Sequence, residues 1–198
     1  MQGAGGEKSE SAVTRRAVLN RALAIASAAL MSTVVPSTVP RSVAAGVDLA
    51  PVAGELVDSP NYSFRAPTGF SKTAGSLSGG RIATIFIADD DGDSNVTMVE
   101  TGVQSDFQKL TSFGSVDNFL TTVVPSSVAG NKVISITEDT QKNAYIIEYI
   151  LKPPGSAPAR HLITVFSLQP GQYLFTLTGQ SKEENWNAKK DALLASAE

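Results

Sequence analysis

The chain has 198 residues, with 16 lysines and arginines against 19 aspartates and glutamates, one histidine, one tryptophan and no cysteine. The absence of cysteine excludes disulfides, thiolate nucleophiles, thiolate zinc centres and a lipidated-cysteine anchor. Five of the basic and two of the acidic residues lie in the first 45, leaving 11 against 17, a net −6; this excludes nucleic acid as a partner, because phosphate backbones demand a basic surface.

Residues 1–13 are small and polar, and TRRAVLNRALAIASAALMSTVV follows, with Arg15 and Arg16 paired, Arg21 beyond them and a mild apolar run from Ala22 to Met31. That run is far short of the roughly 20 residues needed to cross a bilayer. It ends in a Pro/Ser/Thr segment and RSVAA, where Val43 and Ala45 are small enough for a signal peptidase. Basic region, short apolar core and small-residue cleavage site make residues 1–45 an export leader. The Arg15–Arg16 pair fits its twin-arginine variant, which carries folded cargo. The alternative is a disordered tail or a core helix, but no polar face repeats at helical spacing. Residues 46–59 read as a flexible segment and 60–198 as one domain large enough for a core, with no transmembrane span.

Within the domain, NYSFRAPTGF predicts a short strand with Tyr62 and Phe64 on one side, turned by Pro67 and Gly69. RIATIFIAD (81–89) is β-branched and apolar on both faces, as a covered central strand is; NVTMVETGV (95–103) alternates. QSDFQKLTSFG reads as loop, SLSGGR as a turn without the Lys-Ser/Thr of a phosphate loop, and SVDNFLTTVV as a short helix with Ser115 as N-cap, Asp117 in its first turn and Pro125 ending it. From Lys132 four strand-like runs follow, KVISITED, AYIIEYILK, RHLITVFSL and QYLFTLTG, separated by TQKN, PPGSAP and QPGQ. Connections this short make neighbours antiparallel. Tyr145, Ile147, Tyr149 and Leu151 point one way, Ile146 and Ile150 beside Glu148 the other, so both faces need cover. A C-terminal helix with a capping box at Ser181-Lys182-Glu183-Glu184 and an apolar stripe of Trp186, Leu193 and Leu194 supplies one layer; the helix at 115–124 supplies the other. The expected fold class is α+β, an α-β-α sandwich with a central antiparallel sheet.

DDDGDSNVTMVE (89–100) has the look of a calcium loop, with Asp89, Asp91 and Asp93 alternating and Glu100 at the twelfth-ligand spacing. Such a loop needs Gly at its sixth position, where Ser94 stands, and helices on both sides, where strands are predicted. Thr97 and Glu100, on opposite strand faces, cannot close one cage. An acidic hairpin loop whose charges repel one another in solvent is therefore expected, with a loose calcium site of Asp89, Asp91 and Asp93 as the alternative. His161, the only histidine, lacks a GxSxG elbow or any serine marked by context, so no catalytic role is expected. The hairpin running up 161–168 and back along 172–179 brings residues 181–184 beside it. A His161–Glu183 or His161–Glu184 contact follows, either an ordinary ion pair or a two-ligand site for a divalent cation. Tyr145, Tyr149, Phe166, Tyr173 and Phe175 read as core rather than as a ligand pocket.

These residues resemble the PsbP family of extrinsic proteins of oxygenic photosynthesis. YSFRAPTGF is similar to the family's opening strand, SNVTM to its SNVSV, and SFGSVDNFL to the start of its helix; YIIEY, RHLITVFSLQPGQYL and Trp186 follow the remaining blocks in order over roughly 60–198. The resemblance implies an α-β-α sandwich, a chloroplast thylakoid-lumen address peripheral to the membrane, and photosystem II lumenal subunits as partners. The implied role is non-enzymatic: supporting the oxygen-evolving complex and its retention of calcium and chloride. Relatives that assist photosystem or NAD(P)H dehydrogenase assembly give the alternative, and a lumenal metal or small-molecule carrier a third. The resemblance also marks His161 and Glu183 as positions associated with a weakly bound divalent cation (calcium, manganese or zinc). Two departures stand out. GVDLAPVAGELVDSP (46–60) has no basic residue, unlike the lysine-containing arm of the principal family member, which moves weight to a PsbP-like or PsbP-domain relative. Met1 lies too near the arginines for a full chloroplast-import peptide, implying a truncated N-terminus or a different plastid import, and LLASAE stops short of the family's aromatic ending.

Overall fold

The computed structural model describes residues 54–77, 81–124, 129–153 and 155–196. The Arg15–Arg16 leader and most of the 46–59 segment lie outside the described residues. Among those described, the strands are β1 (Leu56–Asp58), β2 (Ser63–Arg65), β3 (Phe70–Leu77), β4 (Arg81–Ala88), β5 (Asn95–Gly102), β6 (Lys132–Asp139), β7 (Ala144–Leu151), β8 (Arg160–Gln169) and β9 (Tyr173–Lys182). Helix α1 (Val116–Val123) lies between β5 and β6, and α2 (Trp186–Ala195) follows β9. Strands β3 to β9 form one antiparallel sheet in the order β3-β4-β5-β9-β8-β7-β6, with β1 and β2 a separate ribbon. The sheet dominates: the α+β reading holds, with two short helices rather than full helical layers.

Tight hairpins set this connectivity. Gln172 N–H donates to Gln169 O (3.1 Å) around Pro170-Gly171, and Gly171 takes φ +65°. Proline at the second turn position and a left-handed glycine at the third are what a type II turn requires. The alternation in β7 then sorts the core. Tyr145, Ile147 and Tyr149 join Phe119, Val123, Leu162, Phe166 and Leu174 under α1, whereas Ile146 packs against the other cluster of Phe64, Phe86, Val96, Met98, Ile163, Phe175, Leu177, Trp186 and Leu193 under α2 and the β1–β2 ribbon. Both predicted covers are in place, and the aromatic residues on β7, β8 and β9 are core.

Several local expectations differ. SLSGGR reads as a turn, but its first two residues end a strand to which the sequence analysis assigns no element: β3 is held by a full main-chain ladder to β4, from Phe70↔Ala88 to Leu77↔Arg81. β1, inside the stretch expected to be flexible, is ordered by pairing Leu56–Asp58 with Arg65–Ser63. β4 is second from the sheet edge rather than central, and its Ile82 is exposed. The predicted loop before α1 is part of the core: Phe107, Leu110 and Phe113 are buried, the last two in a 3-10 turn (Leu110–Phe113), with Phe107 and Phe113 rings 4.5 Å apart. Asn143, left-handed at φ +48°, ties this loop down by accepting from Leu110 N–H (3.2 Å) and donating to Leu168 O (3.1 Å). The capping box is absent. β9 continues its ladder with β8 to Lys182, so Ser181 is a fully buried strand residue whose hydroxyl donates to Lys182 O. α2 starts only at Trp186, and Leu194 faces outward while Leu193, seven residues from Trp186, faces in.

α2 reaches the sheet over Gly179, where a Cβ would lie 3.3 Å from the Cβ and Cδ2 of Leu193 and 3.4 Å from Ile163 Cγ2. Alanine there is a tight fit; a branched side chain must push the helix away. We expect Gly179→Val to cost roughly 1–3 kcal/mol in urea unfolding and Gly179→Ala markedly less. Equal, small effects would show that α2 does not rest on this strand.

Candidate functional site

The ends of β8 and β9 carry two stacked tiers of charge. In the outer tier Arg160 and Lys182 stand directly opposite each other, an arrangement that destabilises a strand pair when both are cations. Asp93, from the β4–β5 turn, resolves it. Its Oδ1 accepts from Arg160 Nη2 (3.0 Å), its carbonyl from Arg160 Nη1 (3.0 Å), and its Oδ2 pairs with Lys182 Nζ (2.7 Å). The Lys182 hydrogen bond, above all, holds the Asp93 carboxyl below the usual aspartate range despite partial burial, with Arg160 adding to it.

The inner tier is built on His161, 5% exposed and one residue further along β8. Its direct partner on β7 is Ile150, and Glu148, two residues along on the same face, reaches diagonally to place Oε1 2.8 Å from Nε2. On the other side Glu183, in the 3-10 turn Glu183–Asn185 that follows β9, places Oε2 2.7 Å from Nδ1. Trp186 lies flat on the imidazole, ring centroids 3.8 Å apart and 5° from parallel. Each ring nitrogen thus has its own carboxylate partner, the ring donating wherever a nitrogen carries a proton.

The structure thus brings His161 and Glu183 together, as the hairpin geometry predicts, and selects Glu183 over Glu184. The sequence reading missed Glu148, whose diagonal reach depends on β7–β8 register, and the stacking of Trp186, which was read only as part of an apolar stripe. The donor atoms are spaced for hydrogen bonds rather than for a shared metal ion. The two ring nitrogens point in opposite directions, so Glu148 and Glu183 cannot share an ion with the same nitrogen, and Nδ1 and Oε2 are already at hydrogen-bond distance. Zinc, bound at about 2 Å to each ligand, would have to separate them. Among the described residues no three metal-ligating side chains converge.

The acidic turn is equally committed. Asp89 accepts from Ser71 Oγ (2.6 Å), Asp90 pairs with Lys189 Nζ (2.6 Å), and Asp91 Oδ1 accepts from the N–H groups of Asp93 (2.9 Å) and Ser94 (2.8 Å) while Oδ2 accepts from Ser94 Oγ (2.7 Å). Glu100 is buried on β5, accepting from Asn61 Nδ2 (3.2 Å). The four carboxylates of the calcium-loop pattern therefore do not meet. The expectation of mutually repelling charges in solvent also fails, because each aspartate has its own donor.

Comparison with known proteins extends this picture. A family model described as PsbP matches residues 57–198. PsbP domain-containing protein 3, chloroplastic, of Arabidopsis thaliana is 34% identical over 110 residues, covering 51% of this chain and 44% of that protein; the match thus spans less than half of the relative's length. The solution structure of cyanobacterial PsbP (CyanoP) from Synechocystis sp. PCC 6803 superposes with a TM-score of 0.56 at 18% identity, covering 78% of this chain and 95% of that one, which shows a shared fold.

Two outcomes are expected of the tiers. His161→Ala strands two carboxylates beside a buried gap and should cost roughly 2–4 kcal/mol, whereas Glu183→Gln, at a carboxylate 44% exposed, should cost below about 1 kcal/mol. Urea melts followed by circular dichroism rank them, and a harmless His161→Ala would show that the tier is ornamental. Asp93 has a depressed folded-state pKa, so its contribution is present above the unfolded aspartate value of about 4 and lost as pH falls through the lower folded value. Asp93→Asn should therefore be destabilised at neutral pH, and its gap to the parent should close in acid. A gap independent of pH contradicts the Lys182–Asp93–Arg160 account.

Proposed function

The chain belongs to the PsbP family, and from that premise we propose that it is a non-enzymatic extrinsic protein of the chloroplast thylakoid lumen, peripheral to the membrane. Its partner in this reading is the lumenal side of photosystem II, where it supports the oxygen-evolving complex and its retention of calcium and chloride. The observation that carries the non-enzymatic part is the commitment of the only histidine. Both ring nitrogens face carboxylates and one face is covered by Trp186, which keeps this histidine from serving as the base for a nucleophile. Interaction through a surface is the chemistry such a domain retains. Among the described residues no helix is long and apolar enough to cross a membrane.

A second reading, an assembly factor for a photosystem or the NAD(P)H dehydrogenase complex, is favoured by two observations. Residues 46–60 carry no basic side chain, and the curated relative named above is a PsbP-domain protein. A divalent cation at His161 and Glu183 enters either reading only as weak, competitive binding that must break a 2.7 Å hydrogen bond.

A tagged chain expressed in a photosynthetic host tests these readings. We expect it to be protected from protease in intact thylakoids, to comigrate with photosystem II in native gels, and to be needed for full oxygen evolution, with added calcium and chloride restoring activity to a strain lacking it. Comigration with another complex selects the assembly reading, and a chain that stays soluble defeats both. Replacing Arg15 and Arg16 with lysines should block import driven by the proton gradient; normal arrival in the lumen would refute the twin-arginine route.

A further inference from the structure

Tyr145 carries a polar group that the fold does not use. The residue is 3% exposed, and its ring meets Phe119 nearly edge-on, with centroids 5.3 Å apart. Its hydroxyl has no hydrogen bond to a described residue, whereas the equally buried Tyr149 shares one with Thr164 (3.0 Å). Withdrawing a hydroxyl from water without a partner costs stability, and phenylalanine would fill the same place without that cost. The ring packs in the core, so the hydroxyl end is what Tyr145 contributes to the wall of a groove of about 480 Å³ between the β6–β7 hairpin and the loop before α1. Glu138 stands directly opposite Tyr145 on β6, and its carboxylate has no hydrogen bond or ion pair among the described residues. Burial, and then the charge of Glu138, pushes the phenol up and keeps it protonated. Asp139, also in this wall, uses only Oδ1, accepting from the N–H groups of Gln141 (3.0 Å) and Lys142 (2.9 Å).

One wall of the groove is therefore anionic and holds spare hydrogen-bonding capacity. A cation that brings several N–H donors at once satisfies it. Guanidinium offers five in a planar fork that matches a carboxylate with two parallel bonds, and ammonium offers three without that fork. Among the described residues no third carboxylate or imidazole joins Glu138 and Asp139 to hold a metal ion. The far wall carries Lys109, which disfavours a ligand that is positive at both ends. It suits one in which carbonyl oxygens flank a single positive tip, as the main chain does around an arginine. The shoulder of the groove is apolar. Ile136, two residues from Glu138 and on the same face of β6, is 40% exposed, and Val133, opposite Tyr149 on that face, is 37% exposed. Exposed aliphatic residues beside an acidic groove fit a protein segment better than a free metabolite: apolar contact supplies area, and one paired charge fixes position.

We propose that this groove takes an arginine side chain of a partner protein, its guanidinium received by Glu138 and Asp139 and hydrogen-bonded by the Tyr145 hydroxyl, with aliphatic neighbours of that arginine resting on Ile136 and Val133. That the partner is a protein rests on the surface-interaction reading above; the guanidinium chemistry does not. Nuclear magnetic resonance titration of the purified full chain with a capped Leu-Arg-Leu peptide, and with its lysine and citrulline counterparts, tests it. The arginine peptide should shift β6–β7 resonances saturably and the lysine peptide should bind more weakly. Citrulline, which keeps the shape and loses the charge, should bind about tenfold more weakly or worse. Glu138→Gln should weaken the arginine peptide about tenfold while leaving the citrulline peptide unchanged. Tyr145→Phe should weaken it about threefold without lowering the urea midpoint, a combination that a structural hydroxyl would not produce. No saturable shift at millimolar peptide, equal binding of arginine and citrulline, indifference to Glu138→Gln, or a Tyr145→Phe chain that loses stability would each overturn the proposal. A chain that binds the arginine peptide yet stays unattached in thylakoids upholds the site and defeats only the photosystem reading.

Discussion

One strand pairing holds the molecule together: β9 against β5. Without it the chain would be two separate meanders, β3-β4-β5 and β6-β7-β8-β9. The ladder from Asn95↔Gln180 to Gly102↔Tyr173 makes them one sheet and puts the last strand of the chain at its centre. Closing a loop this long costs entropy that grows only slowly with length, but no contact across the junction forms until it is closed. The register of that ladder positions everything else. It sets the ends of β8 and β9 beside the β4–β5 turn, so Asp93 falls between Arg160 and Lys182. It also exposes Gly179 to α2, and α2 carries Trp186 over His161.

The two charged tiers are best understood as consequences of this junction. Like charges opposite each other on β8 and β9 would weaken the sheet at its centre, and a carboxylate contributed from the far meander offsets them. The inner tier is costlier to build, because an imidazole and one carboxylate are largely withdrawn from water, and such clusters stabilise only when complete. Here completion comes from three different elements: β7 supplies Glu148, the turn after β9 supplies Glu183, and α2 supplies the indole. Removing any one leaves the others poorly solvated, so the cluster couples the helix to the sheet more tightly than apolar contact alone would.

Much of this was legible in the residues. The four C-terminal strands announced themselves by alternation and short turns, and the opposed faces of Tyr145-Ile146-Ile147 predicted two covers. His161 and Glu183 could be paired by following one hairpin. What escaped was whatever depends on partners rather than pattern. β3 is held by main-chain hydrogen bonds that any polar sequence can make, and the burial of Phe107 and Phe113 hides in a segment without periodicity. Glu148 meets His161 only through a diagonal across a strand pair, and Ser181 looks like a helix cap until β9 is seen to run on to Lys182. The hairpin position of the acidic turn was legible, but its charge balance was not, since Lys182, Arg160, Lys189 and Ser71 come from distant parts of the chain.

The flat stacking of Trp186 on His161 has one more consequence. Each is the only residue of its kind in the chain, so light absorbed at the red edge of the protein spectrum excites a single indole in contact with a single imidazole. The imidazole at van der Waals distance forms one face of that indole's surroundings. The emission therefore changes when α2 lifts from the sheet, even while the strands remain paired. Local opening of the C-terminal helix, a sub-global motion distinct from unfolding of the sheet, can be followed by emission alone, with no label attached.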